Sequence, residues 1–190
     1  MQKRLFDLCC SMTLLFLLWP LLVLIALLVK CTSRGPAIFK QKRVGHGGKL
    51  FTIFKFRTMR VESEELHDVV TDQTDLRITP FGKRLRASHL DELPQLINVL
   101  CGDMGMVGPR PLTTQTAMMR AQEVPNYHKR FESLPGITGL TQLRGRTKNL
   151  AKGAKSAHLL DLYYIRHQCL SLDLKILFRT VGAITNRAGI

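Results

Sequence analysis

Residues 86–111 read R-A-S-H-L-D-E-L-P-Q-L-I-N-V-L-C-G-D-M-G-M-V-G-P-R-P. Two adjacent carboxylates, Asp91 and Glu92, come just before apolar residues at helical spacing: Leu93, Leu96, Ile97 and Leu100. Pro94 fits only near the start of a helix, because a proline deeper inside costs ~3 kcal/mol. The spacing therefore puts both acids at the positive end of a helix, where ionised carboxylates are favoured. Gly102, Gly105 and Gly108 mark a turn, and Pro109-Arg110-Pro111 braces an arginine. Such a set suits phosphoryl chemistry: Arg110 binds an anion, while Asp91 and Glu92 hold a cation or supply a nucleophile. Taken without their context, the same two acids also fit a plain capping role.

Working outward toward the N-terminus, the chain carries no acidic residue between Asp7 and Glu62. Nine Lys or Arg lie between Lys30 and Arg60. Each is worth ~1 kcal/mol near an anionic leaflet, so this stretch is expected to lie on a membrane. Alternation over Lys49–Arg57 predicts a strand, and Gly45-His46-Gly47-Gly48 predicts the turn of a hairpin with Ala37–Val44. Aromatics interleaved with lysines are also the pattern of a single-stranded nucleic-acid surface.

Further upstream, Leu8–Val29 is a run of 22 residues without a charge. At ~1.5 Å per residue such a helix is long enough to span a bilayer core. The run is too long for a signal peptide, and no A-x-A-like site follows it. Lys30 stands where a lipoprotein cysteine at Cys31 would need a small residue. Both flanks are basic, with Lys3 and Arg4 before and Lys30, Arg34, Lys40, Lys42 and Arg43 after. Pro20 near the middle removes a backbone hydrogen bond. A helix-break-helix hairpin dipping into one leaflet fits these facts; a single pass with the denser positive flank inside is the alternative.

The chain has 190 residues, a net charge of +14 and five cysteines, Cys9, Cys10, Cys31, Cys101 and Cys169. Such a basic balance calls for an anionic partner: nucleic acid, membrane surface or phosphorylated substrate. An odd cysteine count with no C-x-x-C spacing argues against a disulfide or metal framework and for a reducing compartment. Downstream, Glu62–Asp75 is acidic and aperiodic, and is expected to be a surface helix or loop. Pro135–Arg146 is glycine-rich and reads as a loop with a short strand, where backbone N–H groups can approach a ligand. Leu174, Leu177, Phe178, Val181 and Ile184 repeat at helical spacing, on a helix that packs on the core or lies in a membrane interface.

The string D-E-L-P-Q-L-x-N-V-L-x-G-D-M with V-G-P-R-P closely resembles the core signature of the bacterial monotopic phosphoglycosyl transferases. G-P-A-I-F-x-Q-x-R-V-G-x-x-G-K-x-F-x-x-x-K-F-R-T-M, P-G-I-T-G-L-x-Q-x-x-G-R and D-x-Y-Y resemble further segments of that family. The resemblance runs from Lys3-Arg4-x-x-Asp7 to the last helix. Three positions depart from it: Trp19 replaces the usual serine before Pro20, His89 stands where serine is common, and Gly105 follows D-M.

The resemblance implies a site. Asp91 is the nucleophile, and Glu92 with Asp91 holds Mg²⁺. Lys55, Arg57, Arg86, Arg110, Arg144, Arg146 and Asp161 are expected to bind substrate, and Arg86 and Arg57 equally fit structural ion pairs or lipid contacts. It also implies transfer of a phospho-sugar from a UDP-sugar to polyprenyl (undecaprenyl) phosphate, with release of UMP through an aspartyl phospho-sugar. That is the first membrane step of a surface glycan, on the cytoplasmic face of the bacterial inner membrane and with no nucleic-acid partner. The expected fold is mainly α with a small β-hairpin (α+β), a re-entrant hairpin broken at Pro20 in residues 1–34, and interfacial amphipathic helices. Residues 35–190 form the catalytic domain. Two other classes fit parts of the pattern: a membrane-tethered basic binding protein, and a lipid-diphosphate hydrolase using the same metal and arginines.

Overall fold

The computed structural model describes residues 2–60, 75–144 and 150–185. Of the acidic Glu62–Asp75 stretch only Asp75 is among them, and Arg146 also lies outside. The apolar run becomes the middle of one helix, α1 (Gln2–Thr32), which continues through Pro20. It is long and apolar enough to cross a membrane.

Although α1 is apolar all round, its burial follows helical spacing. Asp7, Ser11, Ile25 and Val29 are buried. Cys10, Leu14 and Leu15 pack on one core cluster, and Leu21, Leu22 and Ala26 on another. The other side exposes Leu5, Met12, Phe16, Trp19, Val23 and Leu27. Both ends are bonded to the rest of the chain. Lys3 Nζ donates to Asp173 at 2.7 Å and to the Val107 carbonyl at 3.2 Å. Arg4 donates to the carbonyls of Val99 and Leu100 at 2.6 and 2.9 Å, and Asp7 accepts from the Met106 amide. At the far end Arg57 donates to the carbonyl and hydroxyl of Ser33 at 2.8 and 2.9 Å.

The expected hairpin is present. Strands β1 (Ile38–Val44) and β2 (Leu50–Phe56) pair antiparallel from Ile38↔Phe56 to Val44↔Leu50, around a 3₁₀ turn at His46–Gly48. Alternation sends Phe51 and Ile53 into the main core with Leu96, Val99, Met104, Met106, Val107, Tyr164 and Ile176. Helices α2 (Pro80–Ala87) and α3 (Gln95–Cys101) follow, then a two-stranded parallel pair, β3 (Gly105–Val107) with β4 (Gly136–Thr138). Helices α4 (Thr114–Glu123), α5 (Leu140–Arg144), α6 (Leu150–Arg166) and α7 (Leu170–Thr185) complete the described chain. The chain is mostly helical with small sheets, as expected.

Of the stripe read on α7, Leu174, Phe178 and Val181 face outward while Leu177 packs on the main core. Asp173 and Ile176 are buried, whereas Leu170, Leu174, Phe178 and Val181 are exposed. Among the described residues all five cysteines are free thiols.

Candidate active site

The motif residues sit where three elements meet. Pro94 is the N-cap of α3, and Gly102 ends the helix in the left-handed region at φ 89°. Asp91 and Glu92 lie just ahead of α3, as the spacing puts them, but on a separate 3₁₀ turn, Leu90–Glu92. The cause is His89, whose φ of 56° swings the chain between α2 and that turn.

Lys55 arrives from β2 on the same strand face as Phe51 and Ile53. The register of strand and helix is fixed by Asn98, which is fully buried on α3. Its side chain donates to the Thr52 carbonyl at 2.7 Å and accepts from the Phe54 amide at 3.0 Å. With β2 so held, Lys55 Nζ donates to Glu92 Oε1 at 2.6 Å.

Arg110 reaches the same oxygen from the opposite side, at 2.8 Å. Its loop is set by close backbone approach: a Cβ on Gly136 would lie 2.0 Å from the Gly108 nitrogen, so V-G-P-R-P and P-G-I-T-G can pack only as glycines. Arg130, buried beneath, donates to the Arg110 carbonyl at 3.0 Å and pairs with Asp161 at 2.9 Å. Asp161 also accepts from Thr141 at 2.6 Å.

The two neighbouring acids differ electrostatically. Burial alone would raise the Glu92 carboxyl, but the Arg110 and Lys55 charges beside it prevail and hold it well below the usual carboxylate range. Asp91 is 9% exposed and, among the described residues, its carboxylate makes no hydrogen bond or ion pair. Burial pushes it up, an effect that the Lys55 charge only partly offsets and that Glu92 reinforces. Burial also lowers the Lys55 ammonium, against the pull of Glu92.

Lys55, Asp91, Glu92 and Arg110 are thus brought together, with Arg86 close enough for its charge to act on Asp91 while its Nε donates to Thr58 at 2.9 Å. Three expected ligands stand elsewhere. Arg57 is 4% exposed and bonds Ser33, so it ties α1 to the hairpin. Asp161 supports Arg110 through Arg130. Arg144 is exposed at the end of α5 and hydrogen-bonds Ser156 on α6.

Sequence reading missed Arg130, Arg43 and Gln95. Arg43 and Gln95 line a small cavity with Lys55, Glu92 and Arg110, and Arg43 also donates to the Pro111 carbonyl at 3.4 Å. Gln95 and Arg43 each stand in a quoted motif string, whereas nothing in the sequence signalled Arg130.

Among the described residues no group of three or more His, Cys, Asp or Glu could hold a metal ion. Two adjacent carboxylates fit Mg²⁺, which takes one or two protein carboxylates and completes its shell with water and substrate phosphates.

Residues 1–187 match the sequence profile described as bacterial sugar transferase. A protein of Caulobacter vibrioides named UDP-glucose:undecaprenyl-phosphate glucose-1-phosphate transferase is 41% identical over 190 residues, covering 97% of this chain and 70% of its own. A Klebsiella pneumoniae protein of the same name is 44% identical over 182 residues, covering 94% of this chain and 39% of its own. The UDP-N-acetylgalactosamine-undecaprenyl-phosphate N-acetylgalactosaminephosphotransferase of Aeromonas hydrophila is 37% identical over 187 residues, covering 98% of this chain and 44% of its own. This chain therefore spans well under half the length of two of these relatives. A match over nearly every residue, with the family's D-E-L-P-Q-L and G-P-R-P segments meeting in space, places the chain in the bacterial sugar transferase family.

Proposed function

We propose that this chain is a phosphoglycosyl transferase that moves a phospho-sugar from a UDP-sugar to undecaprenyl phosphate at a membrane surface. The observation that carries the reading is the unequal pair Asp91 and Glu92. Glu92 is fixed by two cations, whereas Asp91, one residue away, is buried and uncommitted. The names of the relatives supply the substrate classes.

The reaction has two displacements. An oxygen of the Asp91 carboxylate attacks the β-phosphorus of the donor. The bond from that phosphorus to the bridging oxygen breaks, and UMP leaves with the electron pair. An oxygen of the lipid phosphate then attacks the same phosphorus, the Asp91–phosphorus bond breaks, and the carboxylate is restored as the polyprenyl diphosphate sugar departs. Lys55 and Arg110 orient the donor diphosphate and offset its charge, which is most of what phosphoryl transfer asks of a protein. Mg²⁺ bound by Glu92 and Asp91 supplies further charge neutralisation when present.

The contacts of α1 support a one-sided membrane arrangement. A single-pass helix sends its flanks to opposite sides of the membrane, yet here both flanks bond one folded body. In this reading α1 lies along the cytoplasmic leaflet and is reached from one side only, with its exposed face in lipid and the exposed residues of α7 at the interface. Residues 35–190 hold Asp91 near headgroup depth, on the cytoplasmic face of the inner membrane favoured by the basic flanks.

Assay with UDP-glucose and UDP-N-acetylgalactosamine, Mg²⁺ and undecaprenyl phosphate tests this. Lipid-dependent release of UMP with formation of a lipid-linked sugar is expected. Release of inorganic phosphate without a lipid product contradicts it.

A further inference from the structure

Gln95 opens α3 next to the catalytic turn, and its side chain is 2% exposed. Its Nε2 is buried with no hydrogen-bond partner. A buried donor left unmade costs about 1–3 kcal/mol, and an apolar residue of similar size would avoid that cost. The amide lines the cavity that it shares with Arg43, Lys55, Glu92, Arg110 and Gly136. At about 20 Å³ this cavity has room for one water-sized group, not for a sugar or a base.

The polar groups around the cavity have a common character. Lys55, Arg110 and Arg43 are cationic donors, Gln95 is a neutral one, and Glu92 is the lone carboxylate. A space for one small group ringed by donors suits an oxygen carrying negative charge. Arg110, whose side chain is half exposed, forms the wall nearest solvent.

We infer that Gln95 is a substrate-contacting residue whose amide donates to a single non-bridging phosphoryl oxygen of the donor, seated in this cavity between Lys55 and Arg110. This deepens the transferase reading and rests on it. A neutral amide adds a hydrogen bond without adding charge, so it fixes the orientation of the phosphoryl group without tightening the hold on UMP, which must leave.

Gln95→Met keeps the volume and removes the donor. If Gln95 contacts substrate, this variant melts at the wild-type temperature or above it without ligand, because an unsatisfied buried donor is gone. It also loses 10- to 100-fold in kcat/KM and most of the thermal protection given by UDP-sugar with Mg²⁺. A residue serving only the fold would show the reverse, with lowered melting and wild-type kcat/KM in the folded fraction, and that result overturns the inference. Should Gln95→Met fold poorly, Gln95→Glu is the second variant. It keeps the shape but places a carboxylate against the phosphoryl oxygen, so kcat/KM is expected to fall further; wild-type kcat/KM in this variant also overturns the inference. A wild-type protein that turns over no UDP-sugar sinks the transferase reading itself, whereas an active wild type matched by both variants sinks only the role of Gln95.

Discussion

Asp161 and Arg130, 31 residues apart in sequence, form a buried ion pair at 2.9 Å, with each partner 3% exposed. Arg130 also donates to the Arg110 carbonyl. Asp161 thus acts on the site through two residues, by holding the loop that presents the Arg110 guanidinium.

Asp161→Asn and Arg130→Lys should each lower kcat/KM about 10- to 100-fold, because the loop is no longer pinned while the reacting groups stay in place. The double variant should be little worse than either single one, since both break one chain of contacts. Steady-state kinetics on the three variants decides this. Fully multiplicative losses would mean that Asp161 and Arg130 act independently.

Asp91 and Glu92 are predicted to affect stability with opposite signs. The folded-state pKa of Asp91 is raised, so its ionisation favours unfolding, and stability falls as pH rises from the ordinary carboxylate range through the folded value. Glu92 is lowered; its contribution is present above the ordinary range and fades as pH falls through it. At pH 7 in chelator, Asp91→Asn should raise the melting temperature. Glu92→Gln leaves Lys55 and Arg110 without their partner; with Arg110 half exposed we expect a loss of about 2–3 kcal/mol. In a chain of this size that is about 5–10 °C. The Asp91→Asn difference should shrink toward pH 4, whereas the Glu92→Gln difference should persist there and fade only as pH falls further, toward the depressed value of Glu92. Equal effects of the same sign would show that the two carboxylates share one environment.

Gly136→Ala should prevent stable folding, because the added carbon would sit 2.0 Å from a backbone nitrogen. Gly182 lies inside α7 with nothing within 4 Å of an added Cβ. Gly182→Ala should therefore stabilise by about 0.5–1 kcal/mol through helix propensity. Thermal melts of the two variants make the comparison, and a well-folded Gly136→Ala protein would refute the close packing of the two loops.

Because α1 is tied to the domain at both ends, tags placed before Gln2 and after Ser33 should be accessible from the same side of sealed membranes. Protease protection in oriented vesicles reads this directly. Protection of one tag and cleavage of the other would restore the single-pass alternative.

Much of this was legible locally. The proline rule put the start of α3 within a few residues of Pro94, and alternation with a Gly-rich turn gave the β1–β2 hairpin. What was not legible depends on contacts between distant residues. Periodicity cannot find β3 and β4, which are three residues each and pair across the chain. Nor does it reveal that Lys3 bonds Asp173, 170 residues away, or that Arg57 is spent on Ser33. That the two acids stand on a 3₁₀ turn of their own was not legible, because a left-handed histidine is invisible to spacing. Pro20 suggests a break, yet the helix runs through it, and the bonds that tie both its ends to one folded body cannot be read from periodicity.

The central claim is that Asp91 carries the phospho-sugar between donor and lipid. The intact mass of the purified protein after exposure to UDP-glucose or UDP-N-acetylgalactosamine with Mg²⁺, and without lipid, tests it most directly. A gain of one phospho-sugar is expected, absent in Asp91→Asn and discharged on adding undecaprenyl phosphate. An unchanged mass, in a protein that nevertheless releases UMP when donor and lipid are both present, would contradict the covalent route and point to direct transfer.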